Sequence, residues 1–289
     1  MSSPAEDPKE PREELRAFLY SQTRILDALI TALTTKMDEG LADDDRTILN
    51  ITLLMVQSLG VSFHSILKLT DTRDMAIRDA YGIARSSSEL AVNVCFIVAT
   101  GAETARRAER HALQKSFRDL DRSGSIGGFE FAIKRTEMPK IEEVPGLSEA
   151  ISEFSDRKGR EVRDWTPLSL SERIKAVQIP YERCALALTG AVLSIYRHSS
   201  ELLHGTYFGV VHFWRASRPP AKTRAEFECV WDDHFIAIFS AALFSGEAVV
   251  EAYGQKFGLD ELRDDQLRLI KEVKAAIANT ATPRNAPVL

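Results

Sequence analysis

Glycine and proline are both scarce in this chain, at 15 and 11 of 289 residues. Sandwiches and barrels spend these residues on frequent turns, so the shortage argues against an all-β fold. Cysteine is scarcer still. Cys95, Cys184 and Cys229 lie far apart in apolar helical contexts and form no Cys-x-x-Cys pair. They are expected to be buried, reduced thiols of a cytosolic protein. The start, Met1-Ser-Ser-Pro-Ala-Glu-Asp, shows no basic stretch followed by an apolar run, so no secretory signal is read there. Positive charge is not in excess either. Lys and Arg total 37 against 42 Asp and Glu, a net charge of −5. That excludes a protein that coats nucleic acid through its overall field, and it leaves room for a local basic groove. A P-loop, a Gly-x-Gly-x-x-Gly turn and a Gly-x-Ser-x-Gly elbow are absent as well.

Thr47–Leu67 lacks Asp, Glu, Lys and Arg altogether. A membrane span needs about 20 apolar residues, so the length suffices. Asn50, Gln57, Ser58, Ser62, His64 and Ser65 interrupt the run, and a buried core helix is expected, with no membrane as partner.

What the chain does have is helical periodicity. Leu15, Phe18, Leu19, Ile25, Leu26, Leu29, Ile30 and Leu33 recur at spacings of three and four, which predicts an amphipathic helix over 12–39 ended by Gly40. Similar patterns predict helices to about Leu69, from Asp71 to about Thr100, over Ala102–Leu120, from Tyr181 to Leu203, over Thr223–Phe257 and over Asp260–Asn279. Ser169 or Ser171, followed by Glu172, is read as a helix cap. The fold class is all-α: a single-domain multi-helix bundle over 12–279, with a disordered lead at 1–11 and a flexible tail at 280–289. Residues 121–146 interrupt it as a Gly- and Pro-containing irregular insertion, with one short strand around Phe129, Phe131 and Ile133.

The stretch Ser194–Gly205 gathers Tyr196, Arg197, His198, Ser200, Glu201 and His204 on one predicted helix. Arg197 and His204 are seven residues apart. They share a face, about 10 Å apart along the axis. Arginine can grip a phosphodiester through its planar fork, and an imidazole can move protons at a ribose hydroxyl. Together they supply half of a metal-independent RNA-cleaving site, which a second copy would complete. Ser200, Glu201 and His198 are the supporting groups. The plainer reading is an Arg197–Glu201 ion pair with His204 at the helix end. Arg85, Glu89 and Asn93, each four residues apart, form a second polar stripe on another helix. Downstream, Arg215, Arg218, Lys222 and Arg224 lie near Tyr207 and Trp214 as candidate RNA contacts, or as a solvated connector. The basic helix with Arg106, Arg107, Arg110, Lys115 and Arg118 is likewise a solvated face or a phosphate track. Glu201-Leu-Leu-His204 has the Glu-x-x-His spacing of di-iron bundles, but no second such motif occurs, and no metal or cofactor is assigned. His64, His111, His212 and His234 show no paired ligand spacing and read as ordinary helix residues.

Two resemblances follow from these residues. The Arg197-His198-x5-His204 spacing resembles the motif of the HEPN superfamily, helical domains that include toxin and antiphage ribonucleases. More broadly, Arg85-Ser-Ser-Ser-Glu-Leu, then Trp165, then Tyr196, Ser200 and His204-Gly205 resemble a bacterial family known as domain of unknown function number 5677, over about residues 49–211. That likeness implies a helical fold and a clustered polar site of Arg85, Glu89, Tyr196, Ser200 and His204, without a set activity. The expectations are a cytoplasmic homodimer that cleaves RNA, with an inhibitor or partner protein. The alternative is a non-catalytic helical binding module in which the same residues form a structural polar network.

Overall fold

A computed structural model describes residues 11–134, 139–215, 219 and 221–280. Four helices come first: α1 (Pro11–Glu39), α2 (Asp43–Leu69), α3 (Ile77–Thr100) and α4 (Ala102–Arg118). Strands β1 (Asp121–Ile126) and β2 (Phe129–Lys134) follow, then α5 (Leu147–Glu153), α6 (Leu170–Gln178), α7 (Glu182–Leu203), α8 (Tyr207–Arg215), α9 (Arg224–Phe257) and α10 (Asp260–Thr280). The protein is an all-α multi-helix bundle.

α9 is its axis. It lies against α7, α3, α1, α10 and α8. From Ser245 to Gly254 every residue is buried, so the helix has no solvent face there. That burial explains why its sequence is apolar on all sides rather than along one stripe. Two carboxylates enter this buried run, each with a guanidinium: Glu247 faces Arg183 at 3.3 Å and Glu251 faces Arg263 at 3.0 Å. Pairing offsets the cost of removing each charge from water. α3 packs on α9 from one side and α7 from another, and α3 and α7 also touch each other. The site candidates on α3 and α7 therefore share one rigid framework.

α2, α3 and α9 are each long and apolar enough to cross a membrane. In α9 78% of the most hydropathic stretch is buried inside the bundle, whereas α2 buries only 33% and leaves Leu54 and Val61 open on its outer side.

Several expectations change. The insertion holds two strands rather than one: β1 and β2 form an antiparallel hairpin about Gly127-Gly128, with Ile126 opposite Phe129. Glycines at positive φ let a tight turn match the strand twist, and the polar, small residues of β1 hid the strand. α3 starts at Ile77 rather than Asp71, because residues 70–76 form turns in which Asp74 accepts from the Ala76 N–H at 2.7 Å. Pro11 belongs to α1, where a first-turn proline loses no hydrogen bond, and the rest of the expected lead, 1–10, lies outside the described residues. Thr280 closes α10, and the expected tail beyond it lies outside the described residues. Cys95 and Cys184 are buried, but Cys229 is exposed on the outer side of α9's first turns.

The basic face of α4 is structural. Arg107 and Arg110 both hold Glu153 at 2.6 Å and so fasten α5, while Arg106 reaches Asp44 of α2 at 2.8 Å and Lys115 reaches Glu161 at 3.3 Å.

Candidate functional site

α7 ends where His204 caps it, its backbone N–H donating to the Ser200 carbonyl at 3.0 Å. Gly205 follows at φ +64°, a left-handed turn that sends the chain back into α8. Arg197 and His204 both stay exposed. The Arg197 guanidinium lies over the Phe208 ring at 6.0 Å, and among the described residues it makes no ion pair with Glu201.

Glu201 is engaged elsewhere. Its carboxylate accepts from the Thr206 hydroxyl at 2.6 Å, and that hydroxyl accepts from the Gly209 N–H at 3.1 Å. The three residues build the start of α8. Gly209 lets α8 press onto the end of α7: a Cβ there would sit 2.5 Å from the Glu201 carbonyl oxygen. Glu201 therefore orients α8 rather than Arg197. Ser200 is half-buried on α7.

The second stripe meets α7 on another side. Arg85 Nε donates to Glu89 at 2.9 Å, and its guanidinium lies 4.4 Å from the centre of the Tyr196 ring. The Glu89 and Tyr196 contacts raise the Arg85 pKa against the opposing effect of burial, which is the largest single influence. α6 adds Arg173, which hydrogen-bonds Asn93 on α3. Its position follows from the start of α6, where Ser169 caps the helix: the Glu172 N–H donates to Ser169 Oγ at 3.3 Å and the Ser169 N–H donates to Glu172 at 2.8 Å. Arg85, Glu89 and Tyr196 are thus brought together, on a different side of α7 from the exposed Arg197.

The structure also gathers residues that sequence spacing does not connect. His198 on α7 stacks on His212 of α8, with ring centres 3.9 Å apart and planes within 7°. His212 meets His234 of α9 edge-on at 5.3 Å. The Tyr81 hydroxyl on α3 lies 2.6 Å from His234 Nδ1, and His234 Nε2 lies 2.8 Å from the Phe213 carbonyl. A carbonyl only accepts, so Nε2 carries a proton, and in the neutral ring Nδ1 accepts from Tyr81; burial, the largest influence, lowers the His234 pKa and so favours that neutral form. His198 Nδ1 and His212 Nε2 are buried without hydrogen-bond partners. Burial, reinforced by the neighbouring imidazoles, pushes the His212 pKa down to about 4. Burial and then the Arg197 charge lower that of His198. Four residues from four helices converge here, so no motif announces them. Their one trace in the sequence is His212 inside the apolar run Tyr207–Trp214 and His234 directly before the apolar run that starts at Phe235.

Of the candidate basic RNA contacts, Arg215 at the end of α8 and Lys222 are exposed, Arg224 pairs with Glu228 at 3.1 Å, and Arg218 lies outside the described residues. Among the described residues, no group of three or more His, Cys, Asp or Glu side chains is placed to hold a metal ion. No protein-family model, curated protein or solved structure matches the chain. The two resemblances therefore rest on their motifs.

Proposed function

We propose that the chain is a homodimeric, metal-independent endoribonuclease of HEPN type, working in the cytoplasm within a toxin or phage-defence system. The observation that supports this reading is the exposure of Arg197 and His204 on the last turns of α7, amid an unusually apolar surface. Leu186 and Leu193, seven residues apart on the same helix, are 72% and 79% exposed, and Tyr207 beyond them is 83% exposed. A second copy covering these side chains would remove apolar area from water and bring a second Arg197–His204 set alongside the first.

In that arrangement Arg197 holds the scissile phosphate and neutralises charge as it develops. One His204 takes the proton of the ribose 2′-hydroxyl, which attacks phosphorus. The other gives a proton to the departing 5′-oxygen, leaving a 2′,3′-cyclic phosphate and a free 5′-hydroxyl. Arg215 and Lys222, both exposed, contact flanking phosphates in this reading.

The expected outcome is cleavage of single-stranded RNA in the presence of a chelator. His204→Ala should reduce it at least about 100-fold, with a melting temperature within about 2 °C of the parent, as for exposed positions generally. A parent protein that cleaves no RNA and sediments as a monomer would overturn the reading.

One observation favours a second reading, a non-catalytic module. Glu89, His198 and Glu201 spend their side chains on contacts between or within helices, and Arg85 and Tyr196 part of theirs. In that case the apolar surface serves a partner protein, and His204→Ala leaves binding of that partner unchanged.

A further inference from the structure

Arg173 is a partly buried cation with no carboxylate of its own. Its Nη1 donates to Asn93 Oδ1, an uncharged acceptor, and its Nε is buried with no hydrogen-bond partner. Among the described residues it makes no ion pair. Glu89, whose charge acts on Arg173, is engaged by Arg85 at 2.9 Å. The result is two guanidiniums, Arg85 and Arg173, of which only Arg85 pairs with a carboxylate among the described residues. Burial holds the Arg173 pKa below its ordinary value, against the raising effect of Glu89, Tyr196 and Asp164. A guanidinium withdrawn from water this way is normally compensated by an anion.

The remaining donors converge from three helices. Because Asn93 Oδ1 accepts from Arg173, its NH2 group remains a donor that this bond does not use. Tyr196, whose ring lies against Arg85 at 4.4 Å, adds a hydroxyl from α7. Arg85 keeps further N–H groups beyond the one given to Glu89. Neither Arg85 nor Glu89 is fully buried, so the cluster is open to solvent on one side. Donors from α3, α6 and α7, two guanidinium forks among them, match the several oxygens of a phosphate group.

We propose that Arg173, Arg85, Asn93 and Tyr196 form a binding site for a phosphate group, either inorganic phosphate or the phosphomonoester of a small ligand. The site stands on the α3–α6 side of the bundle and does not depend on the ribonuclease reading.

The test is thermal unfolding of the full chain in inorganic phosphate, in a nucleoside 5′-monophosphate, in acetate and in chloride, all at one ionic strength. Phosphate should raise the melting temperature by about 3 °C or more over chloride, with acetate near chloride. A larger rise with the nucleotide than with inorganic phosphate identifies the phosphomonoester as the ligand class; equal rises identify the free ion. Arg173→Gln should lose the phosphate-dependent rise. Tyr196→Phe should keep the parent melting temperature in chloride and weaken phosphate binding about threefold or more, read from the phosphate concentration dependence. If Arg173→Gln does not fold, Tyr196→Phe and Asn93→Ala carry the comparison by the same measurement. Equal melting temperatures in phosphate and chloride, or a phosphate rise undiminished in the folded variants, would overturn the proposal.

Discussion

The stacked pair His198–His212 joins α7 to α8 through two neutral rings. The His212 pKa stands at about 4, below its ordinary 6.5. The unfolded chain therefore binds more protons than the folded one between these values. The contribution to stability is fully present above about pH 6.5 and is lost as the pH falls through the window toward about 4. The lowered pKa of His198 acts in the same direction. The melting temperature should drop on acidification across this window, and His212→Phe, which keeps a ring in the stack, should flatten that dependence. An unchanged slope in the variant would contradict the assignment. Gly209 is the other residue on which this junction turns. A methyl group there would meet the Glu201 backbone, which cannot swing aside as a side chain can. Gly209→Ala should cost about 1–3 kcal/mol in urea unfolding. The Ser169–Glu172 cap was legible from the sequence because it is local. The histidine cluster was not, because its members are brought together by packing between four helices.

Among the elements, the hairpin β1–β2 contributes least to the core. Ile126, Phe129 and Phe131 are exposed, and the hairpin touches little besides the end of α4. Replacing 122–133 by a short Gly-Ser linker should leave the melting temperature within about 3 °C, since few buried contacts are lost. A large drop would show that the hairpin is integral to the bundle. The long helices were readable from their spacing of three and four. The hairpin was half-readable: β2 carries the alternation Phe129, Phe131, Ile133, while Asp121-Arg-Ser-Gly-Ser-Ile of β1 carries almost none. α4 shows the reverse difficulty. Its basic residues look like a free cationic track until the fold places Glu153, Asp44 and Glu161 against them.

For the whole molecule the open question is what covers the outer face of α7. Leu186 and Leu193 lie one heptad apart, a spacing that suits packing of one helix against another. If a second copy covers them, Leu193→Glu should convert a dimer to a monomer in sedimentation equilibrium and abolish RNA cleavage together with assembly, while the isolated subunit stays folded. Cleavage by a monomeric variant would separate activity from dimerisation.

The sequence by itself determined the helical class, the approximate limits of most helices and the presence of Arg197 and His204 on one helix face, because all of these depend on short-range periodicity. Only the tertiary structure decided which polar groups are consumed. Glu201 goes to Thr206, the Nε of Arg85 to Glu89, and α4's arginines to α5 and α2. It also decided which stand unmatched, among them the Nε of Arg173 and the buried nitrogens of His198 and His212. The reason is physical: the partner of a charged or polar side chain in a helical bundle comes most often from a neighbouring helix, and spacing along one helix carries no information about that neighbour.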